Sequence, residues 1–569
     1  MKKFFPEISK RLGKGQPPHR RWKWILFPVV FLMLAAAPLR ENYFEMSKQL
    51  EIMTALFREL NIYYVDELQP GKLMESGIDA MVHSLDPYTV YYPESRVEDL
   101  RFMTTGEYGG IGASIQFLNG QHIMVDILPG FPADKEGLKI GDVLLSVDGQ
   151  SLADVDEDLV PEMLQGASGS EVVISFKHFG SEEALEIVLT REKIKLPAVP
   201  FRSVVQDSTG YIVLSQFTRG SSFEVRQALR YLQDSVGINQ LVLDLRGNGG
   251  GLLQESISIV NLFVEKGQEV VSTRGKNEEW LKSYTTRGEP IAPDIPLAIL
   301  IDGQSASASE IVAGTLQDLD RALVVGQESF GKGLVQQTKQ LAYGTRLKVT
   351  VAKYYTASGR CIQRLDYGGD RTQDGAALAV SDSAIQVFYT TNGRPVVDGK
   401  GIQPDVLIDT PYSSYVLNGL YLNGVLFDFA NQWFSEHDSI GPASDFTLSD
   451  SDWNAFATFT EGKDGAVYES SSSMIWEELL EAAAFEQYID TEEEAFDAFA
   501  KVLAPDTQRD LNQFRKEIQT ALEQEIILRY YLQDGVIEWL IPQDSVLQKS
   551  IDLLSSGEAR QLLLGPVNP

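Results

Sequence analysis

The 569-residue chain has one cysteine, Cys361, which excludes a disulfide within the chain and any cysteine-rich metal site. Histidine is nearly as scarce: only His19, His83, His122, His178 and His437 occur, and none lies between residues 192 and 410. Basic residues are in deficit, with 49 Lys and Arg against 80 Asp and Glu, a formal net charge of −31. That balance argues against a nucleic-acid partner, because phosphate backbones are bound by a basic footprint. Long apolar runs are missing too. The best one, from Trp24 to Ala37, falls short of the roughly 20 residues that span a bilayer.

What precedes that run is informative. Lys2, Lys3, Lys10, Arg11, Lys14, Arg20, Arg21 and Lys23 crowd in front of it, the arrangement of an export signal whose basic flank stays inside. Ala35, Ala36 and Ala37 are small enough for a cleavage site, and Pro38 follows them, so removal of the leader and its retention as an anchor over 24–37 both remain open. Either way the bulk of the chain is expected outside the inner membrane, in a periplasmic or cell-envelope location. A 43% hydrophobic content supplies ample core, and at about 100–200 residues per domain the length predicts several domains.

After the basic leader and signal or anchor (1–41), apolar residues at Leu50, Met53, Leu56, Phe57 and Leu60 share one helix face, which predicts a helical N-terminal domain over 42–97. It closes on the turn Ser84-Leu85-Asp86-Pro87-Tyr88-Thr89. Glycines at 106, 109, 110 and 112 then introduce short strands separated by Gly and Pro turns as far as Arg191. From 192 to 411 strands and helices alternate, and Leu241–Leu245 and Leu297–Ile301 have the apolar make-up of strands covered on both faces. Residues 412–569 turn acidic and helical.

The chemistry concentrates in three places. Ser305-Ala306-Ser307-Ala308-Ser309-Glu310 sits between an apolar strand and a helix. There the macrodipole and unpaired N–H groups favour developing negative charge. The same residues also fit a Ser-x-x-Glu capping box, a purely structural reading. With no histidine in the segment, a base for serine has to be lysine, and a lysine base must be buried to lose its proton near neutrality. Phe330-Gly331-Lys332-Gly333-Leu334 offers one, with glycines permitting close backbone approach. Arg246-Gly247-Asn248-Gly249-Gly250-Gly251 can aim backbone N–H groups at an oxyanion. It lacks the Gly-Lys-Ser/Thr of a phosphate loop.

Two resemblances follow from these residues. Pro129–Ala133 followed by Gly137-Leu138-Lys139-Ile140-Gly141-Asp142-Val143-Leu144 resembles a PDZ domain (98–191). That implies that Gly109, Gly110, Ile111, Gly112 and Ala113 form the loop capturing a peptide's terminal carboxylate, with the tail added to a sheet edge. The glycine turn, the serine run and Gly331-Lys332-Gly333-x-Val335-Gln336, taken in that order, resemble the carboxyl-terminal processing peptidases, or tail-specific proteases. The resemblance, which covers roughly 42–410, implies a multidomain α/β fold: helical N-terminal segment, inserted PDZ β domain and ClpP/crotonase-like α/β protease core (192–411); the helical C-terminal extension (412–569) lies beyond it and is read from composition alone. It implies an exported serine endopeptidase that recognises substrate tails through the PDZ domain. Ser307 would be the nucleophile, Lys332 the base and Gln336 its positioner, with oxyanion donors at Ala308 and Gly250, or Gly251 for the second. No metal or cofactor is expected. The rival is a catalytically inactive PDZ scaffold on a protease-like core. The apolar helix faces of the extension, with Ile526, Ile527, Tyr530, Tyr531 and Leu532, are expected to pack within the chain, leaving self-association or adaptor docking as alternatives.

Overall fold

A computed structural model describes residues 22–565 other than 373, 410–412, 463–470, 490–492 and 504–505. The basic leader before Trp22 lies outside the described residues, and of the run 24–37 only the helical backbone is described. The chain divides into two compact units, 1–84 and 85–569. The first holds a long helix, Trp22–Tyr63, and a shorter one, Pro70–His83, which starts on a proline whose missing N–H costs nothing there. No helix among the described residues is long and apolar enough to cross a membrane.

The second unit begins with the Asp86 turn, earlier than a helical domain running to residue 97 would place it. The Asp86 carboxylate accepts the N–H groups of Tyr88 and Thr89 and the Thr89 hydroxyl, the ordinary way an aspartate closes a turn on itself. Val90–Tyr92 then forms a strand, as β-branched and aromatic residues favour, and pairs antiparallel with Arg346–Lys348. The helical pattern of the first segment thus stops at this turn, a strand of the protease half follows it, and helix resumes at Val97–Thr105.

A two-stranded ribbon, Glu107–Gly110 against Glu192–Lys195, carries the chain into and out of a β domain. Its main sheet runs in the order 113–118, 121–127, 143–147, 171–177, 185–190, so Ala113–Leu118 is an edge strand. The following domain has a six-stranded sheet in which Thr209–Val213, Gln240–Asp244, Leu297–Ile301, Leu323–Gly326 and Val406–Leu407 are parallel neighbours. Alternate residues of these strands face opposite sides. Leu241, Leu243, Leu297 and Ile299 pack with the helices Ser221–Arg230, Leu253–Val260 and Ala308–Asp318. Val242, Ala298, Leu300 and Val325 pack on the other side against Val546, Leu547, Ile551 and Leu554. The second face of the protease sheet is thus covered by the helix Ser545–Ser555, which belongs to the C-terminal extension.

A second, antiparallel sheet centres on the long strand Arg346–Thr356, which pairs with Val90–Tyr92, Glu269–Gly275 and Leu334–Gln340. The rest of the extension is a helical bundle around Leu420, Leu426, Phe456, Leu522 and Ile526. Ile526 and Ile527 are fully buried and the Tyr530 ring packs edge-on against Trp433 and Phe434, whereas Tyr531 on the same helix stays exposed. Phe427 of the bundle enters the core of the β domain, and Asn119 donates to Asp428 at 3.1 Å.

Candidate active site

The serine run occupies the turn between the strand Leu297–Ile301 and the helix Ala308–Asp318, with Ser307 at the helix N-cap. The three serines have different surroundings. Ser305 is fully buried and its hydroxyl donates to Leu245 O at 2.8 Å; Ser309 is fully buried and donates to Asn248 O at 2.8 Å. Ser307 alone of the three is not buried, and its φ of 56° lies in the left-handed region that side chains avoid. Residues held in such conformations persist only where their surroundings over-determine them.

That determination comes largely from Glu310. Its carboxylate is fully buried and accepts four bonds: Ser307 N–H at 2.7 Å, Lys332 N–H at 2.9 Å, Gly331 N–H at 2.7 Å and the Ser329 hydroxyl at 2.6 Å. Burial raises its pKa, and these four bonds work against that rise. The Tyr354 hydroxyl adds a second tie, donating to Ser307 O at 3.1 Å and to Lys332 O. Serine and lysine segments are therefore locked together through their backbones. In the sequence Glu310 stood out only as the fourth residue of a capping box; its role as a clamp depends on residues 329–332, which lie too far along the chain for any local pattern to register.

The side chain of Lys332 is held differently. Among the described residues no hydrogen bond joins it to Ser307; its ammonium lies over the Tyr88 ring, 4.1 Å from the centroid. Burial, and then the neighbouring Lys348 ammonium, lower its pKa to about 8, against the opposing pull of Glu310 and Asp86. A lysine so placed is partly neutral near physiological pH, the condition for a general base. Tyr88, Asp86 and Lys348 were not singled out as site residues by sequence. The Ser84–Thr89 turn was the available signal, and the Thr89 hydroxyl docks it on the long strand by accepting Thr350 N–H at 3.2 Å.

Gln336, expected to hold Lys332, instead donates from Nε2 to the Thr350 hydroxyl at 3.3 Å. A register shift between Val335 and Gln336 sets Gln336 opposite Thr350, which explains the change of partner. The glycine turn does reach the serine: a β-carbon on Gly250 would lie 2.8 Å from both Ala308 N and Ser307 Cβ, so only glycine fits. The Gly250 N–H, expected as an oxyanion donor with Gly251 as the alternative, donates to Asn248 Oδ1 at 2.9 Å. Gly250 O and Leu252 N–H both bond Phe217, so Gly251 between them turns its own N–H to the opposite side. Among the described residues no group of three His, Cys, Asp or Glu is arranged to hold a metal ion.

In the β domain, Gly109 and Gly110 lie in the entry ribbon, Ile111 is buried, Gly112 has φ 78° and Ala113 opens the edge strand. The helix Leu159–Leu164 approaches that strand, and Leu159 and Phe117 are exposed.

Comparison with known proteins agrees with this layout. Residues 208–370 match peptidase family S41, residues 109–189 match the PDZ domain, and residues 416–554 match the family described as "Probable PDZ-protease, C-terminal helical domain". A carboxy-terminal-processing protease of Bartonella bacilliformis is 36% identical over 319 residues, covering 56% of this chain and 73% of that protein. The chain belongs to peptidase family S41. This S41 peptidase is also 32% identical over 358 residues to a "Probable CtpA-like serine protease" of Staphylococcus aureus, which covers 63% of the chain and 64% of the relative. Among solved structures, the photosystem II D1 C-terminal processing protease is 28% identical, covers 64% of the chain and 93% of its own, and superposes with a TM-score of 0.35. The S41 chain is a serine endopeptidase of the carboxy-terminal-processing type, with a PDZ domain.

Proposed function

We propose that Ser307 is the nucleophile of this peptidase and Lys332 its general base, acting on proteins whose C-terminal tails are captured by the PDZ domain. The observation that carries the assignment is the division of labour in the serine run. Ser305 and Ser309 spend their hydroxyls on buried backbone carbonyls, whereas Ser307 stands at the helix start facing the glycine turn. Neutral Lys332 leaves the Tyr88 face, takes the Ser307 proton and later returns it to the leaving amine; water then resolves the acyl-enzyme. The oxyanion is stabilised by the Ala308 N–H at the helix N-terminus and by the glycine turn, where Gly251 is the donor not already committed to Asn248.

The tail enters as an added strand on Ala113–Leu118, the free edge of the PDZ sheet, with its carboxylate at the Ile111–Gly112 turn. Export to the cell envelope is supported by the basic leader and the apolar run 24–37, with or without retention as an anchor. Cleavage mapping by mass spectrometry on peptides that differ only in their last residues tests the reading. Tail-dependent cleavage by wild type and none by Ser307→Ala supports it; persistence in Ser307→Ala refutes it. Loss on Ser305→Ala with retained folding assigns the nucleophile elsewhere. Periplasmic fractionation of full-length protein tests the location.

A further inference from the structure

The C-terminal extension supplies neither nucleophile nor base, yet one of its side chains reaches the turn that faces Ser307. Asp544 sits at the N-cap of the helix Ser545–Ser555, where its Oδ1 accepts the N–H groups of Val546 and Leu547, both at 3.0 Å. The same carboxylate takes the outer edge of the Arg246 guanidinium, Nη1 at 3.1 Å and Nη2 at 2.5 Å. The inner edge of that guanidinium goes to Asp244, Nε at 3.0 Å and Nη2 at 2.6 Å. Asp244 is itself fixed by the Tyr211 hydroxyl at 2.7 Å. The three charged side chains are largely sheltered, at 24% exposure for Arg246, 6% for Asp244 and 16% for Asp544. A planar fork gripped on two edges by fixed carboxylates has little orientational freedom.

Arg246 begins the segment that shapes the oxyanion site. Immediately before it, Leu245 O receives the Ser305 hydroxyl; after it, Gly247 N–H is taken by Asp302, and Asn248 binds Ala306 N–H, Ser309 Oγ and Gly250 N–H. The orientation of Arg246 is therefore passed within five residues to Gly250 and Gly251, against Ser307. The ion pair is not required to dock the helix, because Val546, Leu547, Ile551 and Leu554 are already buried on the sheet. Its remaining consequence is to set the turn.

We propose that Asp544 is a positioning residue of the oxyanion turn, holding through Arg246 the backbone that faces the nucleophile, so that the C-terminal extension completes the active site. The inference rests on Ser307 being the nucleophile.

Full-length protein carrying Asp544→Asn provides the test, since asparagine caps a helix as well as aspartate and keeps its shape while losing the charge. The expected result is an unchanged melting temperature and KM on a tail-bearing peptide with about a tenfold fall in kcat. Asp544→Ser, another good cap, should behave alike and serves if the asparagine variant is poorly folded. Arg246→Gln should lower kcat at least as far, and adding Asp544→Asn to it should cost nothing more, because the two act through one link. Wild-type kcat in a folded Asp544 variant overturns the proposal, as does a full loss repeated in the Arg246→Gln background. Continued hydrolysis by Ser307→Ala would instead overturn the nucleophile assignment, an outcome the Asp544 series cannot imitate.

Discussion

The two halves of the active site are held by different physics. Around the serine nearly every polar group is bound: buried Ser305, Ser309, Asn248 and Glu310, with half-buried Asp302, form a lattice of directional hydrogen bonds, which fixes a strained Ser307 backbone. On the lysine side the backbone shares the same Glu310 clamp, but the ammonium rests on an aromatic face, a contact without strong direction. A donor lattice has to be in place before the oxyanion forms, since its value lies in needing no reorganisation. A base has to travel between a serine and a leaving amine, and a soft resting place costs little to leave.

On that contrast the largest effect belongs to Ser307→Ala, the proposed nucleophile, with kcat falling by up to about 10⁶-fold. Ser305→Ala and Ser309→Ala should mainly lose stability, by about 1 kcal/mol each for a buried hydrogen bond, read by denaturant unfolding. Equal loss of turnover in all three would erase the distinction drawn within the run. Next comes Glu310→Ala, which strands four donors. At about 1–3 kcal/mol for each unsatisfied group it should cost several kcal/mol of stability as well as activity. Unfolding at the wild-type midpoint would show that the clamp is dispensable.

The lysine half predicts smaller, pH-dependent effects. With Lys332 acting unprotonated, as proposed, kcat/KM should rise with pH and level off above about 8. Lys348→Met removes a like charge that disfavours the Lys332 cation, so the limb should move to higher pH. A shift to lower pH would contradict the sign. Smallest is Tyr88: Tyr88→Leu keeps apolar cover but loses the ring face that favours the cation. It should move the limb slightly to lower pH, as expected from the roughly 0.5 kcal/mol of a weak cation–aromatic contact. Tyr88→Phe should match wild type.

Much of the site was legible along the chain because its parts are local. A serine at a strand-to-helix junction, a glycine turn after an apolar strand and a lysine between glycines each announce themselves within a few residues, and the lack of a histidine between 192 and 410 left lysine as the base. The PDZ fold and the alternating core were legible for the same reason. Periodicity and turn chemistry act over short windows.

What the tertiary structure decided is everything that depends on who meets whom across distance. Three serines with similar neighbours became one accessible hydroxyl and two structural ones only when the strand Gln240–Asp244 brought Leu245 and Asn248 beside them. Glu310 changed from helix cap to clamp when Ser329 to Lys332 folded over it. Gln336 lost its expected partner to a one-residue register shift, which no composition records. The acidic extension became part of the protease core because one of its helices covers the second face of the central sheet. Sequence alone specified which chemistry was present; the pairing of buried donors with acceptors, each costly to leave unmade, determined which copy of each residue could perform it.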